Sequence, residues 1–219
     1  MSDVGFAALM AAVAVPIGAL VVPAVAAWSP GTPTPLLERS WRIAQCGATV
    51  VAAGAVALTL GDGWRVVPPL VLVPVVVAAS AADLVTRRLP DRLVLPAIVA
   101  TAAVTAIVAL AAGHPGWLGG AAAGAGVLAG FLFVIHLISP GGMGFGDVKF
   151  AVILGALLGW LHPLLAVYGL LAASLLGSLV GGAVALARRD RKLAIPFGPF
   201  LAAGTIIALV VGAAMDVGT

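Results

Sequence analysis

Charge is what this sequence has least of. Only 9% of its 219 residues are Asp, Glu, Lys or Arg, whereas a soluble domain usually carries about 25% to cover its surface. With 63% of residues hydrophobic, there is too little polar surface to face water, and a soluble globular fold is excluded. Cysteine is nearly absent as well. The single Cys46 rules out an intramolecular disulfide and any cysteine-cluster zinc site. His114, His136 and His162 show no metal-ligand spacing, so neither metal nor cofactor is expected. The opening MSDVGFAALM lacks the basic region of a secretory signal, so the first apolar run is expected to stay as a membrane span. No internal repeat, low-complexity tail or soluble domain is recognisable.

What the chain has in abundance is long apolar stretches. About 20 apolar residues of helix cross a hydrocarbon core, with a usable range near 17–25. Eight runs qualify: Val4 to Trp28, Ile43 to Leu60, Val66 to Ala82, Leu93 to Ala112, Trp117 to Ile138, Phe150 to Leu161, Leu164 to Ala187 and Ile195 to Met215. The sixth is short: it either begins inside the Gly-rich stretch before it or sits where the bilayer is thinned. Helices and closed barrels alone satisfy their backbones in lipid. These runs are continuous rather than alternating, so the fold class is all-α, a polytopic transmembrane helical bundle forming one domain over 1–219. Glycines in GGAAAGAGVLAG and LLGSLVGGAVALA are expected to let helix backbones approach closely. Pro68, Pro69 and Pro74 are compatible with a membrane helix.

Basic residues orient the bundle. Arg39, Arg42, Arg87, Arg88, Arg92, Lys149, Arg188, Arg189, Arg191 and Lys192 fall on one side if the eight runs alternate, leaving Arg65 on the other. The positive-inside rule makes the crowded side cytoplasmic and puts both termini outside. A net charge of +3 and a pI near 9.8 do not signal nucleic acid, because the cations sit in short clusters between apolar runs. The implied partner is the lipid bilayer.

Among the acidic residues, Asp3, Asp62 and Asp216 lie at outer ends, and Glu38 and Asp190 sit beside arginines where surface pairing accounts for them. Asp83 closes the apolar run VLVPVVVAASAAD, and Asp147 lies in the Gly-rich SPGGMGFGDVKF. A carboxylate at the membrane interface is a functional candidate by default. If the two meet, they cannot both ionise cheaply; they share a proton, and one serves as base on water while the other is the acid. Gly141, Gly142, Gly144 and Gly146 would let a peptide backbone come close. Proton or ion transport uses membrane carboxylates as readily, and a structural subunit whose aspartates pair with arginines is a third reading. A transporter favours midplane carboxylates and repeat symmetry; neither is evident.

GMGFGDVKF resembles the GxGDxK signature of type IV prepilin peptidases, membrane-embedded aspartic proteases. AADLVTRRLPDRLVLP resembles the first-aspartate region of that family, and IPFGPFLAAG a third signature. The blocks occur in the family's order, and the resemblance is strongest over 66–205. It implies that Asp83 and Asp147 are the catalytic pair, with Gly144, Gly146 and Lys149 in supporting or substrate-binding roles. It also implies removal of the short basic leader of prepilin or pseudopilin substrates at the cytoplasmic face of the inner (plasma) membrane. Alternative readings remain for single residues. Asp83 as a loop cap beside Arg87 and Arg88, and Asp147 as a helix N-cap, are open. Asp91 reads as a partner of the Pro90 turn or an N-cap. Lys149 either tunes the pair or anchors its helix. Pro196 to Pro199 reads as a rigid turn, and His136 as hydrogen-bonded to a neighbouring helix. The cysteine-containing cytoplasmic insertion of many prepilin peptidases is missing: the corresponding interval is SPGTPTPLLERSWR. The resemblance therefore supports cleavage and leaves N-methylation unsupported.

Overall fold

The computed structural model describes residues 39–60, 63–139, 142–188 and 196–215. The run Val4 to Trp28 lies outside them, as do Asp3, Glu38, Asp62, Asp190, Asp216, Arg189, Arg191 and Lys192. The described residues form seven α-helices: α1 (Arg39–Leu60), α2 (Val67–Thr86), α3 (Asp91–Ala111), α4 (Trp117–Ile138), α5 (Phe145–Leu161), α6 (Leu164–Arg188) and α7 (Gly198–Ala214). A 3₁₀ turn, Trp64–Val66, leads into α2, and no strand occurs among the described residues. α1, α2, α3, α4 and α6 are each long and apolar enough to cross a bilayer. The protein is a helical membrane bundle.

Short connections make successive helices antiparallel, so α2 ends where α3 begins and where α4 hands over to α5. α2 runs unbroken across Pro74. α5 starts at Phe145, ahead of the apolar run that begins at Phe150, so the helix does enter the Gly-rich stretch. A helix that is apolar on all sides belongs in the interior, and α5 is the central one. Phe150, Ile153, Leu154, Leu157, Leu158 and Trp160 are all fully buried.

The closest helix pair is α4 with α5. A Cβ added to Gly124 would fall 2.6 Å from the Gly159 Cα, and one added to Gly120 2.5 Å from the Gly159 carbonyl oxygen. These backbones touch because the side chains are missing, as small-residue packing in membranes requires. α6 and α7 meet the same way, with a Cβ on Gly204 falling 2.6 Å from the Ala173 amide nitrogen. The expectation fails at Gly182, where a Cβ would meet only open space. That face of α6, with Leu171, Leu175, Leu179 and Leu186 exposed, is apolar and suited to lipid.

The two ends of the bundle differ chemically. Arg42, Arg87, Arg88, Arg92, Lys149 and Arg188 belong to the end where α2 finishes and α5 starts. At the opposite end the Arg65 guanidinium lies 4.9 Å over the Trp117 ring. His114 stacks on Trp117, and the Trp160 indole N–H donates to the Arg65 carbonyl at 3.0 Å. Amphipathic rings are enriched at the membrane–water interface.

Candidate active site

Asp83 is carried in the last turn of α2. That helix stops where Arg87 adopts a left-handed conformation (φ 54°) and its amide donates to the Asp83 carbonyl. The Thr86 hydroxyl secures the end by donating to the Ala82 carbonyl at 2.8 Å and accepting the Arg88 amide at 3.2 Å. Asp83 is the one buried charged residue among the described residues, 5% exposed. Its Oδ2 accepts the backbone N–H of Gly198 at 2.9 Å. The first amides of a helix have no partner within it, and Asp83 takes one from α7. Residue 198 is glycine because a Cβ there would lie 2.8 Å from the same oxygen. Asp83 does not act as a cap for its own loop.

Asp147 is carried in the first turn of α5. Gly144 is the N-cap, so the N-cap reading of Asp147 gives way to a position one turn further in. The Asp147 amide donates to the Gly144 carbonyl at 3.1 Å. Asp83 and Asp147 lie within electrostatic reach of each other. Both line one open cavity of about 680 Å³, together with Arg87, Arg88, Gly144, Gly146 and Phe197.

The other expected site residues divide. Gly144 and Gly146 line the cavity, and Gly146 lies under Leu89, whose Cβ would be 3.0 Å from a Cβ at 146. Lys149 pairs with Asp91, which itself lines the cavity. Its ammonium bonds Asp91 at 2.7 Å and lies 5.1 Å from the Phe145 ring centroid. Asp91 is the first residue of α3, behind the N-cap Pro90, so it neither caps that helix nor serves only the Pro90 turn. Among the described residues, no group of His, Cys, Asp and Glu is placed to hold a metal ion.

Two contributions were underrated in the sequence. The Pro196–Pro199 stretch reads as a rigid turn, yet Pro196 and Phe197 wall the cavity and Gly198 bonds Asp83. Its match to the third signature was the available signal. His136 bonds no neighbouring helix: Nδ1 donates to the Met143 carbonyl at 2.9 Å, pinning the Gly-rich segment that leads into α5. No local pattern announces that contact.

Fold and site together define a class, a polytopic helical membrane protein with two carboxylates facing one cavity at the basic end of the bundle. The profile of the type IV leader peptidase family matches residues 70–186, and the chain belongs to that family. It is 36% identical over 173 residues to a prepilin leader peptidase/N-methyltransferase of Aeromonas hydrophila, covering 75% of this chain and 56% of that protein. It is 30% identical over 167 residues to one of Bacillus subtilis, covering 75% and 63%. With one of Burkholderia pseudomallei it shares 34% identity over 187 residues, covering 82% and 57%. The chain thus spans little more than half the length of these relatives. No solved structure matches it.

Proposed function

We propose that this chain is a membrane-embedded aspartic endopeptidase of one domain, 1–219, which removes the short basic leader of type IV prepilin-like proteins. Asp83 and Asp147 are its catalytic pair. The observation that carries this reading is their meeting in one cavity, each delivered by a separate signature block. One carboxyl stays protonated and the other ionised, since two neighbouring carboxylates share a proton. The ionised group takes a proton from a water molecule, and the new hydroxide oxygen bonds to the scissile carbonyl carbon. The protonated group donates to the carbonyl oxygen. Collapse of that tetrahedral intermediate breaks the C–N bond, and the proton taken from water passes to the leaving amine.

Both carboxylates lie at helix ends, the last turn of α2 and the first of α5. That supports hydrolysis with water from the adjoining aqueous phase over a relay across the bilayer. The basic end, taken with the positive-inside rule, supports a cytoplasmic active face in the inner membrane, eight spans and both termini outside. The interval SPGTPTPLLERSWR, which holds no cysteine, leaves N-methyl transfer unsupported.

The test is co-expression with a prepilin, comparing leader removal for the parent protein, Asp83→Asn and Asp147→Asn at equal membrane levels. Each substitution is expected to abolish processing. Normal processing by either variant would sink the two-aspartate mechanism.

A further inference from the structure

The two aspartate-bearing helices hardly touch: α2 and α5 make few direct contacts, while α3 and α7 each pack on both. Something other than their own interface must therefore set the separation of Asp83 from Asp147. The connection 87–90 between α2 and α3 spans that gap. Leu89, at its centre, is buried, and it sits directly on Gly146, the residue before Asp147. Asp91, one residue beyond the connection, bonds Lys149, two residues after Asp147, at 2.7 Å. The connection and the residue that follows it thus grip the start of α5 on both sides of Asp147, by an apolar contact and by an ion pair.

We propose that Asp91 is a positioning residue: through Lys149, and beside the Leu89–Gly146 contact, it clasps the α2–α3 connection onto α5 and so fixes the spacing of Asp83 and Asp147. This rests on those two residues being the catalytic pair. It also assigns Lys149 a definite part. Its ammonium is drawn toward Asp91 and over Phe145, leaving the aspartate pair without that cation as a direct partner. Asp91 is 59% exposed and Lys149 22%, so the pair contributes little to stability. Its removal leaves a folded protein in which α5 is less firmly held.

The experiment measures kcat and KM on a synthetic prepilin peptide, with the purified full chain in liposomes, for the parent, Asp91→Asn, Asp91→Glu, Lys149→Gln and the Asp91→Asn/Lys149→Gln double variant. Asp83→Asn and Asp147→Asn run alongside. Asp91→Asn is expected to lower kcat about fivefold, the factor an exposed pair can supply, with KM held within about twofold. Asp91→Glu restores most of the loss, and the double variant is no slower than Lys149→Gln alone, because the two act as one unit. Screening at about 1 M salt, where the Debye length is about 3 Å, slows the parent toward Asp91→Asn and leaves that variant unmoved. Full kcat in Asp91→Asn, a change confined to KM, or additive losses in the double variant would overturn the clasp. Cleavage surviving in Asp83→Asn or Asp147→Asn would instead overturn the catalytic pair on which it rests.

Discussion

Gly198→Ala is the most informative single change near Asp83. The added Cβ would lie 2.8 Å from Oδ2 and 3.3 Å from Cγ of Asp83, roughly half an ångström inside ordinary contact, which begins at 3.4 Å. Asp83 lies within the packed end of α2, so either the carboxylate rotates or the start of α7 retreats. Both lengthen the 2.9 Å bond from the Gly198 amide. A hydrogen bond to a charged group contributes about 1.5–3 kcal/mol net, so partial loss should lower stability by about 1–2 kcal/mol. A misplacement of about 1 Å in a reacting group costs on the order of 100-fold, which makes about tenfold the expected loss in kcat for half that shift. The assay is cleavage of a prepilin peptide per folded molecule in liposomes, with unfolding followed in denaturant. Gly204→Ala is the control: its Cβ would strike α6 at Gly169 and Ala173, away from the aspartates. It should lower stability while leaving kcat per folded molecule near the parent value. Parent-level turnover by Gly198→Ala would refute the idea that α7 positions Asp83.

Replacing Gly124 by Val should separate α4 from α5 and lower unfolding stability by about 3 kcal/mol or more, read as a shift of the denaturation midpoint in mixed micelles. His136→Ala removes the donor to the Met143 carbonyl; the expected cost is about 1 kcal/mol, with faster proteolysis around residues 139–144. Trp160→Phe deletes the indole bond to the Arg65 carbonyl and should cost about 1 kcal/mol without altering kcat, since it lies at the opposite end from Asp83. Cleavage should continue in the presence of chelators; its loss would reveal a metal-dependent step.

The apolar helices among the described residues were legible because a bilayer demands length and apolarity of each helix separately, a requirement written locally in each run. The shortness of the Phe150 run pointed to a start inside the Gly-rich stretch, and the helix does begin there, at Phe145; which residue of that stretch opens it was not legible, because residues 142–146 have the composition of a turn. Asp83 and Asp147 stood out through their signature blocks, and the structure adds that both line one cavity. Their supports were not legible, because each depends on residues distant in sequence. Gly198 reaches Asp83 from 115 residues away, and Lys149 reaches Asp91 from 58. Glycine content foretold close helix contact without saying which stripe would have a neighbour. Gly120 and Gly124 meet α5, whereas Gly182 on α6 faces open space. Composition describes a face; only the bundle decides what lies against it.

The most direct test of a shared catalytic pair is the residual kcat/KM of Asp83→Asn, Asp147→Asn and the double variant, measured on one prepilin peptide in liposomes. Groups that act as a unit lose nearly as much singly as together. The expected result is three equal residual rates, all near the background without protein. Substantial turnover in either single variant, with a further drop in the double, would contradict the pair and assign the two carboxylates independent roles.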